Sequence, residues 1–198
     1  MNPDLADLAP ILQRGGVVLL PTDTIYGLHA IATDSGAIDR IAAIKGRDDT
    51  KPFVVLGASI AQLESIGVVF DDASRVVLDE LWPGPLTVVA RLKNKIAASR
   101  ENETIAVRVP ALDWLRDLIQ MTGPLASTSV NRSGESPLTS PKQLTNEMLA
   151  RLDGSVDIGP LEGQPSTIFD LSSREPRLIR EGDALFTQKV WKTLRKTL

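Results

Sequence analysis

The 198-residue chain contains no cysteine and a single histidine, His29. Without cysteine there is no disulfide framework, no zinc thiolate cluster and no thiol nucleophile, a composition that suits a reducing cytoplasm, where the protein is expected to reside. No second histidine and no clustered carboxylates sit at metal-ligand spacing, so no metal site built by the protein alone is expected. A lone histidine is most simply a packed or surface residue. No apolar run approaches the roughly 20 residues of a membrane span. The first residues, Met1-Asn2-Pro3-Asp4, are acidic and lack the basic-then-apolar order of a secretory signal. The chain is therefore expected to be soluble, without a membrane partner. A formal net charge of -3 argues against a general polyanion binder, so any nucleotide or RNA site must be a local basic patch.

The stretch most suited to chemistry runs from Ile41 to Leu56. Ile38, Ile41, Ala42 and Ile44 recur at helical spacing after Asp34 and Ser35, either of which can cap the helix start. Gly46 is placed to end that helix, and Pro52 opens an apolar strand. Lys45, Arg47 and Lys51 lie between. Lys45 and Arg47 flank a glycine and can share one space, holding an anion with several oxygens. The competing reading is a solvated loop whose charges balance Asp48 and Asp49.

Upstream, Leu5, Leu8, Ile11 and Leu12 mark a first amphipathic helix ended by Gly15-Gly16. The strand Val17-Val18-Leu19-Leu20 then enters the polar stretch Pro21 to Leu28. Small hydroxyl and carboxyl side chains after a buried strand suit a ligand pocket, or a turn held by its own Thr and Asp side chains. Downstream, Ser59 can cap a helix with Leu63 and Ile66, and Val76 to Trp82 suggests another. Trp82-Pro83-Gly84-Pro85 breaks it before a strand at Leu86–Ala90. Trp82 and Trp114 read as core residues.

Thr104 to Pro110 alternates as a strand with Thr104, Ala106 and Arg108 on one face, which hints at a pocket. A helix at Ala111–Met121 and a strand at Pro124–Ser129 lead to Val130–Pro137, a hydroxyl-rich loop able to hold phosphate or carboxylate oxygens, or to serve only as a connection. Leu144 to Leu152 suggests a helix. Short strands are expected at Val156–Ile158, Ser166–Leu171 and Arg177–Arg180, and a basic amphipathic helix at Lys189–Leu198. The interleaving implies an α/β fold, a twisted mixed sheet with flanking helices, in one domain spanning residues 1–198.

Taken in order, Pro21–Leu28, Lys45-Gly46-Arg47, Lys51-Pro52, Trp82–Thr87, Val107–Pro110, Ser127–Gly134, Ser166-Thr167-Ile168 and Ile179–Gly182 closely resemble the YrdC-like threonylcarbamoyl-AMP synthases. The resemblance covers nearly the whole chain, and the family's K-x-R and S-x-N signatures appear as Lys45/Arg47 and Ser129/Asn131. It implies a concave, positively charged sheet surface. It also implies a nucleotidyl transfer in which L-threonine, bicarbonate and ATP, with Mg2+ accompanying the nucleotide, give threonylcarbamoyl-AMP and pyrophosphate. The product would supply the threonylcarbamoyl group put on adenosine 37 of tRNA by separate transferase partner proteins; direct tRNA binding is left open.

By position, the resemblance places Thr24, Arg108, Ser127 and Ser166 at L-threonine, with Arg108 pairing the carboxylate. Arg47, Lys51, Thr104, Ser129, Pro137 and Arg180 fall at ATP. Lys45, Arg47, Ser129 and Asn131 form the catalytic signatures. The chain departs from the family at Asp48, where proline is frequent, and at Leu56, where some members place a histidine that contacts threonine. Longer members carry a second C-terminal domain, and the single-domain form is the expectation here.

The chemistry fits such a site. A threonine carbamate attacking the α-phosphorus of ATP brings several anions together, so cations and fixed donors can do the work without a protein nucleophile. Asp23 and His29 are candidates for removing the carbamate proton by proximity in sequence. Two alternatives stay open, an RNA-binding module of the same fold without catalysis and a paralogue that has left the synthase reaction.

Overall fold

A computed structural model describes residues 3–45, 51–130 and 138–197. Helix α1 (Leu5–Gln13) begins where the Asp4 carboxylate accepts the Ala6 N–H at 2.9 Å, and the chain turns away through Gly15 at φ 78°. Strand β1 (Val18–Pro21) follows, then β2 (Tyr26–Ile31). The sequence pattern predicts no strand at β2 and puts Tyr26 to Leu28 in the polar turn. Its residues do not alternate in polarity because both of its faces are covered; only Ile31 is less than fully buried.

Helix α2 (Ser35–Lys45) is capped by Asp34, whose carboxylate accepts the Ala37 N–H at 3.1 Å. Next come β3 (Val54–Leu56), α3 (Ile60–Ser65) capped by Ser59, β4 (Val68–Val69) and α4 (Asp72–Leu81) capped by Asp71. The two-residue β4 has no sequence signature of its own and exists through its pairing with β5 (Leu86–Leu92). The central elements β6 (Thr104–Arg108), α5 (Asp113–Thr122) and β7 (Leu125–Ser129) fall where the pattern predicts.

The C-terminal third departs more. The helix expected over Leu144–Leu152 is one turn, α6 (Asn146–Leu149), and the strand expected at Val156–Ile158 lies earlier, as β8 (Gly154–Ser155). Residues 157–159 instead fold around the phenol of Tyr26. Its hydroxyl donates to the Gly159 carbonyl at 2.7 Å and accepts the Ile158 N–H at 3.0 Å. Then β9 (Thr167–Asp170), β10 (Arg177–Arg180) and α7 (Ala184–Thr197) complete the chain, the last helix starting before Lys189.

The strands form one mixed sheet in the order β10-β9-β5-β6-β3-β7-β2-β1-β8, with β4 on the side of β5. The pairs β1–β8, β3–β6 and β5–β9 are parallel and the rest antiparallel. Because successive strand residues point to opposite faces, the sheet separates two apolar layers. On one face Val18, Leu20, Leu56 and Leu125 pack under α1 and α5 with Leu12, Trp114 and Leu118. On the other, Leu19, Leu28, Val55, Val88 and Phe169 pack with residues of α2, α4 and α7. Trp82 and Trp114 are each 8% exposed, core residues as expected.

Candidate active site

The face under α1 and α5 carries the site, because the apolar cover reaches only part of the sheet. Strand registers align its side chains into rows. One row runs Ile31, Leu125, Leu56, Arg108. The next runs His29, Ser127, Val54, Ala106, Val89. A third holds Gly27 and Ser129 at one side and Thr104 with Arg91 at the other, separated by the width of β3. Arg108 and Thr104 thus share a face of β6, as the alternation predicts, four residues and about 13 Å apart.

Six of the predicted residues, Thr24, Arg108, Ser127, Ser129, Ser166 and Arg180, line one cavity of about 210 Å³. Arg108 organises it. Its guanidinium is buried and donates from Nε to the Gly84 carbonyl at 3.0 Å, from Nη1 to Thr24 Oγ1 at 2.9 Å and from Nη2 to the Asp23 carboxylate. Thr24 Oγ1 pairs with Thr22 Oγ1 at 2.9 Å, and Thr22 donates onward to the Ile25 carbonyl at 2.8 Å. The polar turn Pro21 to Ile25 is therefore both readings at once, a self-bonded turn and a pocket wall.

Ser166 forms the opposite wall. Its Oγ lies 2.7 Å from Thr87 Oγ1 and accepts Arg180 Nη2 at 3.2 Å. Arg180 also grips the Ser166 carbonyl from Nε at 3.0 Å and Nη2 at 2.9 Å. Burial, and then the nearby positive charge of Arg108, push the Arg180 guanidinium below its ordinary range. Two like-charged guanidiniums facing one cavity favour a ligand that brings negative charge between them.

Lys45, at the end of α2, reaches across to β7 and donates from Nζ to the Ser129 carbonyl at 2.5 Å. The two signatures are thereby joined through their described members. Lys51 is exposed and lies off the cavity lining, although the adjacent Pro52 is part of it. Thr104 also lies outside the cavity. It borders a separate cleft with Arg91 and Lys93, two strand spacings or about 10 Å from Ser129 along its row. Arg47, Asn131 and Pro137, with the Gly46 cap and Asp48, lie outside the described residues.

Three contributors take places in the site that the sequence did not assign to them, Asp23 and His29 having stood only as candidates for removing the carbamate proton. Asp23, inside the polar turn, is the carboxylate that partners Arg108. Thr87, which the sequence gives no role, pairs with Ser166 in the cavity wall. His29 is fully buried, with Nε2 3.1 Å from Ser127 Oγ. Burial lowers its pKa to about 4, against the opposing effect of the Gly27 carbonyl, so the ring is neutral near pH 7. Leu56 is buried in the cavity wall, and its position offers only an apolar surface.

The chain is thus an α/β protein whose mixed sheet carries, on its open face, a cavity lined by arginines and hydroxyls whose donors are suited to oxyanions. A family model for Sua5, YciO and YrdC proteins, described as telomere recombination, matches residues 10–182, and the chain belongs to that family. It is 33% identical over 186 residues to the threonylcarbamoyl-AMP synthase of Bacillus subtilis, covering 91% of this chain and 54% of that protein. The structure of Pyrococcus abyssi Sua5 complexed with L-threonine superposes with a TM-score of 0.85 at 31% identity, over 94% of this chain and 56% of that one. Escherichia coli YciO shares the fold, with a TM-score of 0.80 at 24% identity over 90% of this chain and 88% of its own. The chain spans about half the length of the Bacillus and Pyrococcus proteins.

Proposed function

We propose that the chain is a threonylcarbamoyl-AMP synthase, joining L-threonine, bicarbonate and ATP to give threonylcarbamoyl-AMP and pyrophosphate. The observation that carries this is the buried Arg108 guanidinium inside a small hydroxyl-lined cavity. Three of its five N–H donors are engaged by the protein, which leaves two for a ligand carboxylate. A cavity of about 210 Å³ suits an amino acid rather than a nucleotide. ATP then extends outside it, with Ser129, Thr104, Arg180, Lys45, Arg47, Lys51, Asn131 and Pro137 as its contacts.

In this reading Thr24, Arg108, Ser127 and Ser166 hold threonine. Its carbamate oxygen attacks the α-phosphorus, and pyrophosphate leaves. The protein orients the attacking oxygen and offsets the repulsion of the converging anions with fixed cations and donors. Among the described residues no three carboxylates or imidazoles come together to hold a metal ion. Magnesium would accompany the phosphates of the nucleotide and offset part of their charge. The product passes to threonylcarbamoyl transferase proteins acting on adenosine 37 of tRNA, with the whole sequence placed in the cytoplasm.

Pyrophosphate release by the purified protein with magnesium, ATP and bicarbonate tests the reading. Release that requires L-threonine and is weak with serine is expected. Release independent of the amino acid, or none while ATP still binds, would contradict it.

A further inference from the structure

His29 is the only histidine of the chain, and it lies fully buried on β2 opposite Ser127 on β7. Its Nε2 is 3.1 Å from Ser127 Oγ, and Ser127 lines the cavity whereas His29 does not. Gly27 makes room for their meeting: a Cβ there would come within 3.1 Å of the His29 Cε1 and 3.3 Å of the Ser127 Oγ. The same sheet face is otherwise aliphatic at this depth, with Val18 in register on β1 and Leu20 and Leu125 nearby. A buried imidazole among such neighbours is costly to hold, and packing alone would be met by leucine. Nε2 has Ser127 Oγ within hydrogen-bond distance, whereas Nδ1 is buried without a hydrogen-bond partner, so Ser127 is the one polar side chain the ring engages.

We propose that His29 is a positioning residue that fixes the polarity of Ser127. The unprotonated Nε2 accepts the Ser127 hydroxyl hydrogen and turns the oxygen lone pairs into the cavity. Ser127 thereby reads an N–H or O–H donor of the amino acid whose carboxylate Arg108 holds. A serine without this partner could rotate and present either polarity. The inference rests on the amino-acid reading of the cavity and adds to it the side of the ligand that Ser127 recognises.

One histidine means one pair of imidazole nitrogen signals, so 15N NMR of the ligand-free protein reads the tautomer without assignment. At pH 7 a neutral ring with Nε2 unprotonated is expected, and Ser127→Ala should move the Nε2 signal. A proton on Nε2, or no response to Ser127→Ala, would overturn the proposal. In turnover, His29→Leu should raise the KM for L-threonine about tenfold, the equivalent of one hydrogen bond, and leave the KM for ATP unchanged. His29→Leu/Ser127→Ala should be no worse than Ser127→Ala alone. His29→Gln, whose amide oxygen can accept the same hydrogen, should recover most of the loss. Multiplying losses, or equal shifts in both KM values, would overturn it. Failure of the wild-type protein to bind L-threonine would instead overturn the substrate reading, and the NMR tautomer would still decide what His29 does to Ser127.

Discussion

Replacing Arg108 by lysine keeps the charge and removes the fork. One ammonium can follow the Asp23 carboxylate, which leaves the Gly84 carbonyl and the Thr24 hydroxyl without their present donors. A hydrogen bond from a charged donor contributes roughly 1.5–3 kcal/mol, and water entering from the cavity recovers part of the two lost, so the net cost is about 3 kcal/mol. For 198 residues the unfolding entropy near the midpoint is about 0.4 kcal/mol/K, which converts that cost to a fall in Tm of about 7 °C. The carboxylate of a bound amino acid would lose its paired donors as well, so threonine-dependent pyrophosphate release should fall roughly 100-fold or more. Differential scanning calorimetry and the release assay read the two effects separately. A Tm within about 1 °C of wild type together with release within threefold would refute the assignment of Arg108 as the organising group.

Lys45→Ala removes the Nζ contact to the Ser129 carbonyl, and Arg47→Ala the other cation of that signature; each should lower turnover roughly 100-fold while circular dichroism stays unchanged. Near wild-type turnover in either folded variant would count against an anion-holding role. Gly163→Ala is expected to disturb the cavity from outside it, because a Cβ there would sit 2.0 Å from the Thr24 carbonyl oxygen. The turn must shift, at a cost of roughly 1–3 kcal/mol, and the KM for L-threonine should rise more than that for ATP. His29 also predicts a pH effect. Its folded pKa of about 4 lies below the 6.5 of the unfolded chain, so the unfolded state binds more protons between those values and stability falls as pH drops through that window. The full effect is on the order of 3 kcal/mol. Urea melts at pH 7 and pH 4.5 should therefore lose more stability in the wild type than in His29→Leu, and equal losses would refute the buried neutral ring.

The α/β architecture and the residues of one cavity were legible in the sequence, and parts of the strand pairing were not. Helix starts were legible because Asp34, Ser59 and the apolar spacing that follows them act locally, and each cap is present. The face of β6 was legible because alternation at Thr104, Ala106 and Arg108 has a fixed geometric meaning. Strand β2 was hidden, since a strand covered on both sides loses alternation, and β8 was misplaced because Tyr26 rather than local propensity shapes residues 157–159. The cavity set was nameable from the ordered resemblance, but its internal logic was not. The Asp23–Arg108 pair joins residues 85 positions apart, the His29–Ser127 pair residues 98 apart, and no local pattern encodes contacts of that range. Thr104 was grouped with the other nucleotide contacts by family position. Register shows it to be a separate station on the same face.

The most direct test of the central claim follows the carbon. Incubation of the purified protein with [13C]bicarbonate, magnesium, ATP and L-threonine should yield, by mass spectrometry, threonylcarbamoyl-AMP carrying one 13C, with pyrophosphate in equal amount. Cleavage of ATP with no labelled adenylate, or an adenylate of threonine lacking the carbamoyl carbon, would contradict it.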